Sequence, residues 1–283
     1  MIGLPAIGTL TGFSCRLSGA GAGYGESTSR SNPDILRSEP RESSEQISQL
    51  IFGDTFSILE EQKGWVYIKL SFDNYEGWIS KNQCVKISQE EHFVLTKSKP
   101  LYTCLPITRI KIENLKTSKS HIINAPIGSR LLSKAYRINF YKIEALNGDL
   151  ISPYKFSKQN LEEITKLFDR VPYLWGGKSI FGIDCSGFSQ TIFKFFNKNL
   201  LRDASMQITQ GEKIANLSQA KAGDLAFFCS ESGKITHVGI LLSNSKIVHA
   251  SGFVRTDRID EKGIIREEDK TYSHTLCQIN RYF

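Results

Sequence analysis

Asp184-Cys185-Ser186-Gly187-Phe188-Ser189-Gln190-Thr191-Ile192-Phe193-Lys194-Phe195-Phe196 follows a glycine-rich stretch that runs from Trp175-Gly176-Gly177 to Gly182. Phe188, Ile192, Phe195 and Phe196 fall at i, i+4, i+7 and i+8, the apolar face of a helix starting near Cys185. A thiol in the first turn of a helix meets unpaired N–H groups and the positive end of the macrodipole, and both favour thiolate. This is where a nucleophilic cysteine belongs, with backbone amides at hand for a developing oxyanion. Cys15, Cys84, Cys104, Cys229 and Cys277 have no comparable setting.

A base for that thiol comes from the strands downstream. Leu225–Phe228, Val238–Leu242, Ile247–Ala250 and Leu276–Tyr282 read as strands. His237 opens one of them and His249 ends the next. If Ser243-Asn244-Ser245 is a three-residue loop, Leu242 opposes Lys246 and His237 opposes Ser251. His249 then becomes a diagonal neighbour of His237 on one face, able to orient its ring. A two-residue loop would put the histidines on opposite faces. Zinc held by Cys185, His237 and His249 lacks a fourth ligand at convincing spacing, so no metal or cofactor is expected.

Upstream the pattern changes. Leu161, Ile164, Leu167 and Phe168 recur at helical spacing behind Ser157 as N-cap, and helices followed by antiparallel strands make 157–283 an α+β unit. Over 35–90, Val66, Ile68 and Leu70 alternate with polar positions, and Gly53-Asp54, Lys63-Gly64 and Asp73-Asn74 mark turns. That spacing predicts a small β-barrel with Trp65 and Trp78 in its core. Short β-like stretches (107–112, 121–124, 138–143) predict a second small β-domain over 91–156. Residues 1–34 read as a disordered extension rich in Gly, Ser and Ala. Met1 to Phe13 lacks a basic start, and Gly12-Phe13 before Cys15 fits a lipoprotein anchor badly.

Composition narrows the functional classes. No apolar run reaches the ~20 residues of a membrane helix. Six cysteines in 283 residues are too sparse for a disulfide scaffold. The net charge of +7 is spread evenly, 19 Lys+Arg against 15 Asp+Glu up to residue 156 and 17 against 14 after it. No basic arm or stripe points to nucleic acid.

Six motifs then align in order: Tyr173-Leu174-Trp175-Gly176-Gly177, Asp184-Cys185-Ser186-Gly187, Arg202-Asp203-Ala204-Ser205, Gly223-Asp224-Leu225, His237-Val238-Gly239-Ile240 and His249-Ala250. Together they resemble the NlpC/P60 cysteine peptidases of bacterial cell-wall turnover. The segment Phe52-Gly53-Asp54 … Gly64-Trp65 … Tyr75-Glu76-Gly77-Trp78-Ile79 resembles the bacterial SH3-like domains attached to such enzymes. The resemblance implies a papain-like, circularly permuted peptidase domain behind one or two SH3-like barrels. It also implies cleavage of the bond between D-γ-glutamate and the diamino acid of peptidoglycan stem peptides. By position, Cys185 matches the nucleophile, His237 the base, His249 its orienting partner and Tyr173 an oxyanion-binding hydroxyl. Asp203 matches a carboxylate for the free amine of a terminal L-alanine, and Tyr75 a barrel tyrosine closing on the same pocket. Trp175, Ser186 and Ser205 fall in the same motifs as further substrate-binding positions. The partner implied is a peptidoglycan-derived peptide, handled by a monomer without nucleic acid or membrane. A reduced thiol and a weak signal segment suit the cytoplasm, with export to the envelope as the alternative. An amidase or acyltransferase on the same scaffold, or a catalytically dead wall-binding protein, are the competing functions.

Overall fold

The computed structural model describes residues 13–15, 30–31 and 33–283. Most of the expected disordered extension, 1–34, lies outside the described residues. Within that span the backbone of Phe13–Cys15 pairs with Thr55–Gln62 and Val85–Ile87, and Arg30–Ser31 pairs with Ile123-Asn124.

The first sheet orders its strands Gln46–Leu50, Asp34–Arg37, Glu76–Ser80, Trp65–Leu70, Thr55–Gln62, Phe13–Cys15, Val85–Ile87. Strand alternation does what the sequence pattern requires: Val66, Ile68, Leu70 and Ile79 turn inward onto Leu36, Leu50 and Phe56. By the same alternation Trp65 and Trp78 turn outward and are only partly buried, which corrects their expected place in the core. Trp78 packs instead on Tyr67, ring centres 5.2 Å apart. Lys63 and Gly64 both take positive φ, 36° and 89°, as a tight hairpin demands.

Residues 91–152 hold a sheet of Ala135–Ile138, Tyr141–Ala145, Ile107–Asn114 and Ser120–Pro126, extended by Arg30–Ser31. A three-stranded sheet of Arg130–Leu131, Leu101–Thr103 and Leu150–Ile151 lies beside it. The β-like stretch expected over 138–143 is two strands turned at Asn139, where φ is 52°. Ile110, Ile112, Ile123 and Ile143 form a core that continues into Val85 and Ile87 of the first sheet and into Phe52 in the turn after Gln46–Leu50. A helix not anticipated from the sequence, Gln89–Lys97, begins at a capping box of Ser88 and Glu91. Gly53 is where the two sheets touch: a side chain there would stand 2.0 Å from the Arg130 carbonyl oxygen.

Beyond Ser157, which caps Lys158–Lys166 by accepting from the Asn160 N–H, come the helix Cys185–Lys194 and the short helix Ala204–Gln207. The final sheet runs Tyr272–Arg281, Leu225–Cys229, Ile235–Ser243, Lys246–Ser251, Phe253–Ile259, Gly263–Ile265, and its last strand pairs back to the first. Six strands thus close a barrel, with Glu212–Ile214 added to Tyr272–Arg281 outside it. Val238, Ile240, Val248, Ala250 and Val254 face outward and pack with Phe188, Ile192 and Phe193 of the Cys185 helix. Ala226, Phe228, Leu241, Ile247, Ile259 and Ile264 fill the inside. Strands Phe253–Ile259 and Gly263–Ile265 were not foreseen. Neither was the disulfide joining Cys229 to Cys277 on neighbouring strands. Cysteine frequency had argued against any such bond, but frequency does not register which residues a sheet sets side by side.

Candidate active site

Cys185 is the first residue of its helix, and Asp184 before it is the N-cap, accepting at Oδ1 from the Gly187 N–H at 2.6 Å. The second carboxylate oxygen accepts from the Gly176 N–H at 2.8 Å, so one side chain ties the glycine-rich turn to the helix start. Glycine is required at 187 because a Cβ there would lie 2.2 Å from the Gly177 carbonyl oxygen. Asp184 is buried, and its charge is met by Arg202, 1% exposed, which donates from Nη1 to Oδ1 (3.1 Å) and from Nη2 to Oδ2 (2.7 Å). Arg202 Nε reaches the Ser48 hydroxyl of the first barrel at 2.8 Å. Ser186 Oγ is occupied in this network, donating to Asp184 and accepting from Arg202.

The sulfur of Cys185 takes the N–H groups of Val238 and Ser186, and the first of these places it beside His237. The electrostatics differ from the expectation for a helix terminus. Burial, with the Asp184 carboxylate adding to it, pushes the thiol up to about 12, against the downward pull of the two amides and Arg202. Burial likewise holds the His237 imidazole well below its ordinary value, and the neighbouring His249 and His274 push the same way. Both shifts favour the neutral thiol and the neutral imidazole over the ion pair. Tyr173, half-buried, packs against the same core as Cys185; burial and then the Cys185 charge push its phenol up.

The histidines meet as the sequence pattern implied, by a different turn. Ser243 pairs with Lys246 around a two-residue turn, but Leu242 is an extra residue, and Leu241 still pairs with Ile247 and Ile240 with Val248. The bulge restores the parity a three-residue loop was needed for, so His237 and His249 share a face. His237 Nε2 lies 2.8 Å from His249 Nδ1, with the rings nearly perpendicular.

Several groups escaped the sequence reading. His249 Nε2 lies 3.0 Å from Asp257 Oδ2, and Arg255 donates from Nη2 to Oδ1 at 2.8 Å while its Nε lies 2.7 Å from Oδ2 as an ion pair. His274 stacks on His237 with ring centres 4.1 Å apart. The signal for the first pair was present: Gly252 makes a tight turn after His249, and Phe253, Arg255, Asp257 and Ile259 alternate behind it. Among the described residues no group of three or more His, Cys, Asp or Glu is arranged to hold a metal ion.

The remaining positions lie around the first barrel. Tyr75 OH donates to Asp203 Oδ2 at 3.1 Å and lies 3.3 Å from Oδ1. Asp203 occupies the N-cap position of Ala204–Gln207 yet its carboxylate makes no capping bond, which leaves it facing Tyr75. Burial pushes this carboxyl up, and Arg202 and Tyr75 pull it down. Asp73 holds the same barrel loop to the Cys185 helix, accepting from Gln190 Nε2 at 2.8 Å. Trp175 is 60% exposed, its indole N–H on Glu45 and its carbonyl on Gln46. Ser205 is exposed in the first turn of its helix.

Residues 170–271 match the NlpC/P60 family, and residues 36–83 match the bacterial dipeptidyl-peptidase SH3 domain. The C-terminal part of this chain is an NlpC/P60 domain. Over 256 residues the chain is 28% identical to a gamma-D-glutamyl-L-lysine dipeptidyl-peptidase of Bacillus subtilis, covering 83% of this chain and 81% of that one. It is 25% identical to dipeptidyl-peptidase 6 of Lysinibacillus sphaericus over 83% of this chain and 92% of the relative. The crystal structure of an NlpC/P60 family protein from Bacillus cereus superimposes with a TM-score of 0.70 at 20% identity, covering 89% of this chain and 97% of that one. That likeness is one of fold, and it includes the barrels before the NlpC/P60 domain as well as the domain itself.

Proposed function

We propose that this chain is a cysteine peptidase that hydrolyses the γ-D-glutamyl–diamino acid bond of peptidoglycan stem peptides carrying a free N-terminal L-alanine. The observation that carries the specificity is the Tyr75–Asp203 hydrogen bond, which sets a half-buried carboxylate from the NlpC/P60 domain against a phenol from the barrel. An ammonium satisfies such a carboxylate; an acylated amine leaves it unpaired.

Cys185 attacks the γ-glutamyl carbonyl as its proton passes to His237. Charge developing on the carbonyl oxygen meets the backbone N–H of Cys185 at the helix start and the Tyr173 hydroxyl. His237 gives its proton to the departing amine of the diamino acid, leaving a thioester on Cys185. It then removes a proton from water, which attacks the thioester and releases the γ-carboxylate and the thiol. Loss of such a base is worth ~10²–10⁴-fold, so His237→Ala is expected to be nearly inactive.

Mass spectrometry of products from L-Ala-γ-D-Glu-diamino acid peptides, with free and with N-acetylated alanine, tests the proposal. Cleavage of the free peptide alone supports it. Equal cleavage of both removes the role of Asp203, and full activity in Cys185→Ala removes the mechanism. All these groups come from one chain, so the enzyme is proposed to act as a monomer, to be checked by light scattering. A thiol nucleophile and a preference for released peptides favour recycling in the cytoplasm. The Cys229–Cys277 disulfide favours the exported alternative, because such bonds persist in oxidising compartments. Cell fractionation separates the two.

A further inference from the structure

Two buried groups in a row, His249 and Asp257, lead from His237 away from the thiol. Asp257 is 3% exposed and His249 1%, and both share strand parity with Ile259 and Ile247 on the inner face of the closed barrel. The two residues come from adjacent strands, His249 standing opposite Arg255 in the ladder, so Asp257 lies one alternation further along the same face. Arg255 grips both oxygens of Asp257 and is itself held by Glu268 at 2.6 Å. The charged and titratable groups around Asp257 are therefore His249, His274, Arg255 and Glu268.

This geometry dictates proton positions. A carboxylate held by a guanidinium can only accept, so the 3.0 Å contact requires the proton of His249 to be on Nε2. Nδ1 of a neutral His249 is then bare and must accept, so in the 2.8 Å contact His237 carries its proton on Nε2. Nδ1 of His237 is left with a free lone pair. We propose that Asp257, locked by Arg255, is a positioning residue that acts through His249 to keep His237 in the one tautomer whose free Nδ1 can take the Cys185 proton. This rests on the roles proposed above for Cys185 and His237, although the proton positions themselves can be observed without any turnover. An asparagine at 257 would satisfy Arg255 with its carbonyl and offer its NH₂ to His249. It would thereby reverse both tautomers and put a proton where the base needs a lone pair.

The experiment is ¹⁵N NMR of histidine-labelled protein, wild type and Asp257→Asn, alongside steady-state kinetics. Expected in the wild type are Nε2–H for both His237 and His249. Expected in Asp257→Asn are Nδ1–H for both, with kcat lower by at least ~10²-fold and KM within about threefold. A wild-type His249 protonated on Nδ1 overturns the proposal even if the variant fails to fold. So does an Asp257→Asn that keeps the wild-type tautomers, or that keeps kcat within about threefold. In a His249→Gln background the Asp257→Asn change should add less than about threefold, since its only route to His237 is gone. A further loss beyond that would show a role that bypasses His249 and would sink the idea. If the wild type shows the expected tautomers but cleaves no γ-glutamyl peptide, the function is wrong and the relay stands.

Discussion

Tyr75 and Asp203, 128 positions apart, share a 3.1 Å hydrogen bond that joins the first barrel to the NlpC/P60 domain. Burial keeps that carboxyl easier to protonate than usual.

Asp203→Asn should therefore raise KM for the free peptide and lower kcat/KM by about 10- to 10²-fold, the worth of one charge-assisted hydrogen bond. Cleavage of the N-acetylated peptide should be unchanged or improved. Because the carboxyl is shifted upward, KM in the wild type should rise as pH falls toward 4, and in Asp203→Asn it should not. A variant with unaltered preference for the free amine would refute the assignment.

Alkylation reports the charge of Cys185. With the thiol held at about 12, the rate of iodoacetamide modification, followed at the Cys185 peptide by mass spectrometry, should climb about tenfold per pH unit between 6 and 9. A plateau already reached at pH 6 would mean that thiolate and imidazolium coexist in the free enzyme.

Arg202 is a stability test of a different kind. Arg202→Met leaves Asp184 buried and uncompensated, for an expected loss of about 3–5 kcal/mol in urea unfolding. Asp184→Asn combined with Arg202→Met should recover much of this, since no charge is then stranded. Equal losses in the single and the double variant would show that the cost lies in packing.

Asp257 links the relay to acid stability. Its carboxyl is held down at about 2, against an ordinary 3.8, by the His249 and Arg255 contacts acting against burial. A group depressed in the folded state stabilises above its unfolded value and loses that contribution as pH falls through the folded one. The contribution, about 2 kcal/mol, should be complete above pH ~4 and vanish toward pH 2. Asp257→Asn should flatten the unfolding free energy across that window, and an unchanged slope would contradict the assignment.

Much of the site was legible in local pattern. Helical spacing behind Cys185 placed its thiol at a helix start, and alternation in two neighbouring strands paired His237 with His249. The route between those histidines was not legible: Asn244-Ser245 is a two-residue turn, and only the extra residue Leu242 rescues the register. Trp65 and Trp78 misled because size suggested core, whereas parity put them outside with Tyr67. Asp257 was missed although the alternation of Phe253, Arg255, Asp257 and Ile259 carried it on the strand next to His249. His274 becomes meaningful only once the barrel closes through Tyr272–Arg281.

Periodicity and turn chemistry are properties of neighbours along the chain, so the amino-acid order alone determined most of the element types and singled out Cys185, His237 and His249. Ionisation, tautomer and substrate pocket depend on groups that are distant along the chain and on the water they exclude. Burial around Cys185, the Asp257 carboxylate behind His249 and the meeting of Tyr75 with Asp203 were decided only when the barrels and the helix packed together.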